Sequence, residues 1–215
     1  VSGGYNDTIF IYDISDNKLI KKGSIALGKP WPEDKMGISG IDADNARERV
    51  YAVTKEDNSL YICDLKNKTI VKKIPLGAEA YTCLLSPDKK MLYISLWGGG
   101  KVAIFDTQKE KIIGEITTES HPNDMVISRN GKYLFVANAN VNSVSVIDIA
   151  KRKVLENIIA SLYPDAPSGT TPNGVALSTD NKTLFIANAD NNDLAVFDVS
   201  NPGKSHSKGF IPTGW

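Results

Sequence analysis

Short apolar runs of four or five residues recur along the whole chain, broken by Gly, Asn, Asp or Ser. Five of them close on an aspartate. They are Ile-Phe-Ile-Tyr-Asp (9–13), Leu-Tyr-Ile-Cys-Asp (60–64), Val-Ala-Ile-Phe-Asp (102–106), Val-Ser-Val-Ile-Asp (144–148) and Leu-Ala-Val-Phe-Asp (194–198). The aspartates Asp13, Asp64, Asp106, Asp148 and Asp198 stand 51, 42, 42 and 50 residues apart. A second run precedes each of the last four, around Tyr51, Tyr93, Phe135 and Phe185, and that aromatic always lies 13 residues before its aspartate. A third run lies further upstream, as in Thr82-Cys83-Leu84-Leu85, and a fourth follows the aspartate, as in Lys153-Val154-Leu155. Runs of this length between turn formers predict strands, and no useful stretch has the 3.6-residue period of a helix.

Four strands per repeat, a to d, at a period near 42 residues describe the blade of a β-propeller. The expected fold is all-β, built of four-stranded antiparallel blades. One partial propeller domain fills 1–215, with blades at about 8–26, 38–75, 81–117, 123–159 and 173–212. The aspartates then fall at the c–d turns, where a carboxylate accepts local backbone hydrogen bonds. Blade one supplies only strands c and d. Val1 holds the place of Ala52, Ile94, Val136 and Ile186 in the repeat, inside a strand b. The expectation is a polypeptide that continues at both ends, with Tyr or Phe before Val1, and a ring of about seven blades. A five-bladed ring closed within the chain is the alternative, and its first blade lacks strand a.

Two d–a connections are longer than the rest, by Pro30–Lys35 and by Ser161–Gly169. Insertions in repeat proteins map to loops on one face, often the binding face. In a seven-bladed ring these two stand on nearly opposite sides of the channel mouth. Both read equally as contact surfaces or as plain long loops. Tyr81, His121-Pro122-Asn123 and Pro172-Asn173 immediately precede or open strand a, the innermost strand. The candidate ligand- or partner-binding residues at this rim are Trp31, Tyr81, Trp97, His121, Asn123, Tyr163 and Asn173. A rim histidine suits acid, base or ligand work, or is structural.

Lys and Arg number 25 and Asp and Glu 25, so the formal charge is zero. No basic excess points to nucleic acid. No run approaches the roughly 18 apolar residues of a membrane span. Cys63 and Cys83 sit inside apolar runs and read as buried thiols. No P-loop, zinc spacing, nucleophile elbow or EF-hand pattern occurs. No catalytic residue, metal ligand or cofactor is assigned. Asp190-Asn191-Asn192-Asp193 is rich in oxygen ligands but reads as a turn.

Leu-Phe-Val-Ala-Asn (134–138), Leu-Phe-Ile-Ala-Asn (184–188), Ser-Pro-Asp-Lys-Lys (86–90) and Ser-Arg-Asn-Gly-Lys (128–132) resemble the strand and turn of the YVTN-repeat (YncE-like) β-propeller family. The ends, Val1–Asp7 and Gly209–Trp215, and the segment Ser161–Pro172 are similar to bacterial fusions. In these such a propeller precedes a phosphoesterase domain of the alkaline phosphatase superfamily. This resemblance implies a periplasmic or secreted protein with a metal-dependent hydrolase further along, and none of that hydrolase's motifs lies in these residues. The expected function is a non-catalytic module. It binds a protein partner, its own hydrolase domain or a small ligand at the channel mouth. The alternative is a lactonase-like, metal-assisted propeller hydrolase, for which His121, Asn123, Asp124 and Asn173 supply polar groups.

Overall fold

The computed structural model describes residues 1–30, 32–163 and 165–214. Trp31, a candidate rim residue, lies outside the described residues. The described residues fold into four four-stranded antiparallel sheets and one two-stranded hairpin. The hairpin, blade one, is β1 (Thr8–Ser15) and β2 (Lys18–Ala26). Blade two is β3 (Ile38–Asp44), β4 (Arg49–Thr54), β5 (Ser59–Asp64) and β6 (Thr69–Pro75). Blade three is β7 (Ala80–Leu85), β8 (Met91–Leu96), β9 (Lys101–Asp106) and β10 (Lys111–Thr117). Blade four is β11 (Pro122–Ile127), β12 (Tyr133–Asn138), β13 (Ser143–Asp148) and β14 (Lys153–Ile159). Blade five is β15 (Pro172–Leu177), β16 (Thr183–Asn188), β17 (Asp193–Asp198) and β18 (His206–Pro212).

Burial explains why the apolar runs are continuous instead of alternating. In blades two to four, strands b and c are covered on both faces by neighbouring blades, so nearly every residue of β4, β5, β8, β9, β12 and β13 is buried. One core cluster joins Val53, Leu60 and Ile62 of blade two to Leu92, Ile94 and Phe105 of blade three. Another joins Phe135, Val144 and Val146 of blade four to Leu184, Ile186 and Phe197 of blade five. In blade five the burial of β16 and β17 alternates, leaving Phe185, Ala187, Leu194 and Val196 half-buried. Strand d is the outer strand, and β6 is almost wholly exposed. Cys63 and Cys83 are both free and buried.

Four of the five ladder aspartates cap c–d turns. Asp64 Oδ1 accepts from the Asn67 N–H at 2.7 Å, Asp106 Oδ1 from Gln108 and Lys109, Asp148 Oδ1 from Lys151, and Asp198 Oδ1 from Ser200. Asp13 departs from the expectation. Strand β1 runs on to Ser15, because Asp16 and Asn17 both adopt left-handed φ (50° and 57°) and close a two-residue hairpin. Asp13 is therefore mid-strand and faces Lys22 at 3.7 Å. The Trp97–Gly100 connection also differs from a plain hairpin. Trp97–Gly99 forms one 3-10 turn, closed by Gly100 at φ 60°.

The caps hold these carboxyls below the usual carboxylate range. The largest cause is the backbone N–H of Asn67 for Asp64, of Lys109 for Asp106 and of Lys151 for Asp148; for Asp198 it is the Ser200 hydroxyl. A carboxyl depressed in the folded state adds stability above its unfolded value near ~3.9, and that stability disappears as pH falls through the lower folded values. Buried Asp7 works the other way, because desolvation raises it. Thermal midpoints measured from pH 6 to pH 2 should fall most steeply below about pH 4. The slope should be shallower in Asp106→Asn, and an unchanged slope would remove the caps from the acid response.

Candidate site at the channel mouth

Every strand a begins with an irregularity. In β3 the pairing passes from Ile38↔Thr54 to Gly40↔Val53, so Ser39 has no partner. The same shift skips Tyr81 in β7 and Asn173 in β15, and in β11 it falls between Pro122 and Met125, around Asn123. Ser39, Tyr81, Asn123 and Asn173 each lie 25 residues before their ladder aspartate and are one position of the repeat. A bulge bends its strand and re-aims a side chain. Four innermost strands thus turn four side chains onto one surface at the mouth.

These side chains link blade to blade. Ser39 Oγ donates to the Ala80 carbonyl of the next blade at 2.9 Å. Asn123 Nδ2 does the equivalent, donating to the Pro172 carbonyl at 3.0 Å. Tyr81 is too long for that partner and reaches past blade four, donating from Oη to Asn173 Oδ1 at 3.1 Å. Asn123 Nδ2 donates to the same Asn173 oxygen at 2.9 Å. Three blades are thus tied by one carboxamide. Burial, and after it the nearby Asp124 carboxylate, pushes the Tyr81 phenol up, which keeps it a donor. Asp124 Oδ2 accepts from the Val175 N–H at 2.9 Å, just as Asp42 Oδ2 accepts from Leu85 at 2.7 Å.

A second tier stands above this ring. Lys55 and Trp97 hold one position of the b–c turns, each nine residues before its aspartate. Lys55 Nζ lies over the Tyr81 ring, 5.3 Å from its centroid. The Trp97 ring meets His121 edge-on at 4.2 Å between centroids. So in both blades the b–c side chain leans over the start of the next strand a. His121 sits at φ 56°, matching Gly37 at 59° and Thr171 at 49°, where the d–a connection turns inward. Its carbonyl accepts from the Ala139 N–H, as that of Thr171 does from Ala189, so its backbone has a structural duty independent of the imidazole. Ser120 Oγ lies 2.5 Å from His121 Nδ1.

The structure therefore brings Tyr81, Asn123 and Asn173 into one hydrogen-bonded group and sets Trp97 against His121. Tyr163 is apart from both, 72 % exposed on the second insert. Asn142 fixes that insert. Its Oδ1 accepts from Gly169 N, Thr170 N and Thr170 Oγ1, each at 2.9 Å, and its Nδ2 donates to the Ala166 and Pro167 carbonyls. Sequence reasoning missed Ser39, Lys55 and Asn142. The repeat register flags the first two; Asn142 shares its place with Asn58 and Asn192, six residues before the aspartate, but that register does not point to the insert it holds. Clefts of about 340 and 360 Å³ open beside blade one and near Arg47 and Arg49. In the latter, Arg47 is held by Thr107 and Arg49 by Asp64. Among the described residues no three His, Cys, Asp or Glu side chains gather as a metal-binding group. No helix among them is long and apolar enough to cross a membrane.

The family model for the seven-bladed β-propeller lactonases matches residues 6–168. This chain is a member of the lactonase β-propeller family. Among solved structures, this family member is similar to the Kuenenia stuttgartiensis hydrazine synthase, with a TM-score of 0.66 and 20 % identity. The match covers 79 % of this lactonase-family chain and 49 % of that one, so the chain spans about half the length of that structure. At that identity the likeness concerns the fold alone. No curated protein matches this lactonase-family sequence.

Proposed function

We propose that this chain is a binding module of the YVTN-repeat (YncE-like) type, which holds a ligand or partner at the channel mouth without chemical turnover. The observation that carries this reading is the bridge across blades three, four and five made by Tyr81, Asn173 and Asn123. Such a floor is ordered before anything binds, which removes much of the entropic cost of association. Lys55, Trp97 and His121 form its wall, and Tyr163 on the second insert extends the contact surface. The resemblance of the terminal segments extends the proposal to an extracytoplasmic protein that also carries a phosphoesterase domain, with the propeller serving that domain or its partner.

A second reading, a lactonase-like hydrolase, draws on the family and on Ser120 Oγ beside His121 Nδ1. Nucleophilic catalysis also needs the base oriented by a third group, and among the described residues no carboxylate hydrogen-bonds His121. The test uses thermal shift with a panel of monosaccharides, amino acids, dicarboxylates and sugar phosphates, together with δ-gluconolactone hydrolysis. At least one panel class should raise the wild-type midpoint but not that of Asn173→Leu, with no lactone turnover above the spontaneous rate. Asparagine tolerates left-handed φ, so His121→Asn removes the imidazole and keeps the turn. Turnover that falls a hundredfold or more in that variant would replace the binding reading with the hydrolase.

A further inference from the structure

The hydrogen-bond inventory at the mouth is one-sided. Asn173 Oδ1 already accepts two hydrogen bonds, from Tyr81 Oη at 3.1 Å and Asn123 Nδ2 at 2.9 Å, which fills both lone pairs of a carbonyl oxygen. Flipping the amide would point its NH2 at the Asn123 NH2, so the orientation is fixed by its neighbours. Asn123 is itself 1 % exposed, and each polar atom of its amide is engaged. Both of its N–H groups are used, on Pro172 and Asn173, and its Oδ1 accepts from Asp124 N at 2.7 Å. Asn173 is exposed, and its Nδ2 has no partner among the described residues, so it presents two N–H donors. Over the ring of the same tyrosine stands the Lys55 ammonium, with three donors and no ion pair among the described residues.

Two acidic groups stand nearby. Asp124, close enough to affect the Tyr81 phenol, has Oδ2 committed to the Val175 N–H. Glu56 follows Lys55 in the turn and is exposed to solvent. Thus an ammonium over the ring and a locked amide at the hydroxyl share one tyrosine. Resting on the mouth as the binding site, we propose that its ligand is anchored there by an anionic oxygen group, received by Lys55 Nζ over the Tyr81 ring and by Asn173 Nδ2 at its hydroxyl end. The rest of the ligand lies on the tyrosine ring toward Trp97 and His121. Charge-assisted hydrogen bonds of this kind are about twice as strong as neutral ones, and the Asn123 lock makes it a positioning residue for the amide.

A carboxylate and a phosphate share this chemistry, and the experiment separates them. Acetate, inorganic phosphate and neutral acetamide are titrated at constant ionic strength into the 15N-labelled protein, following the Asn173 side-chain amide and the mouth backbone amides. The expected result is saturable shifts with acetate or phosphate, whichever is tighter naming the source, and shifts at least tenfold weaker with acetamide. Lys55→Met should weaken the anion about tenfold, and Asn173→Leu should abolish it. Asn123→Ala, which unlocks the amide, should weaken it without removing Lys55. Acetamide binding as well as the anions, or anion binding unchanged in Lys55→Met, would overturn the anionic anchor and leave the mouth as a neutral site. If none of the three probes moves any mouth amide, both the anchor and the mouth as binding site are refuted.

Discussion

Asn142→Ala is expected to destabilise the second insert by about 3 kcal/mol, since each buried donor or acceptor left unsatisfied costs roughly 1–3 kcal/mol. The side chain is 9 % exposed and makes five hydrogen bonds within one loop. Two of the donors it satisfies, the N–H and hydroxyl of Thr170, belong to a residue that is only 3 % exposed. The Asn142 backbone carbonyl accepts from Ala160 N at 2.7 Å, so the same residue ties the start of the insert to blade four. Because the insert can open on its own, the loss shows first as local opening. Hydrogen exchange at Gly169 and Thr170 should quicken by roughly a hundredfold, the kinetic counterpart of that free energy. Asn142→Asp keeps the three acceptor contacts but sets a carboxylate against the Ala166 and Pro167 carbonyls, so it should fall between wild type and alanine. A change below about 1 kcal/mol in Asn142→Ala, the ordinary net worth of one hydrogen bond, would mean that the insert is held elsewhere.

The same residue marks the limit of what the chain discloses in one dimension. The strands were legible because the b and c runs of blades two to four are buried on both faces, and the turn residues repeat against a fixed aspartate. The mouth was legible wherever the repeat reaches it. Tyr81, Asn123 and Asn173 attract notice because they open strand a, although the bulge that aims them is invisible in the letters. Lys55 escaped notice because a lysine in a turn looks solvated, and only its shared register with Trp97 gives it away. Asn142 shares its register with Asn58 and Asn192, but its side-chain partners lie 24 to 28 residues downstream in an insert that breaks the repeat, so the register does not disclose them. Asp13 erred in the opposite direction. Its phrase matches the other four, yet a neighbouring pair of left-handed residues moved the turn away from it.

Gly40 and Gly174 hold one position of the repeat, 24 residues before Asp64 and Asp198, and alanine should affect them in opposite directions. Neither needs a left-handed φ, so the difference lies in what surrounds them. A Cβ on Gly40 would stand 2.6 Å from Thr82 Cα and 3.1 Å from Cys83 N, inside the backbone of the next innermost strand. On Gly174 it would meet only Ala187 Cβ at 3.6 Å and Asp124 Oδ2 at 3.9 Å. Strands β3 and β7 cannot part to admit the methyl, because Ser39 Oγ on Ala80 and Asp42 Oδ2 on Leu85 N bind them on both sides of Gly40. Gly40→Ala should therefore cost about 3 kcal/mol, at the upper end of ordinary overpacking. In a domain of this size that lowers the thermal midpoint by roughly 6–12 °C. Gly174→Ala should be neutral or stabilising by up to about 1 kcal/mol, through a less flexible unfolded chain. The strand that Gly40 displaces carries Tyr81, so Gly40→Ala should also weaken anion binding at the mouth, whereas Gly174→Ala should leave it within twofold. Equal midpoints for the two variants in urea or thermal unfolding would show that the innermost strands are not locked, and the ordered floor of the proposed site would fall with them.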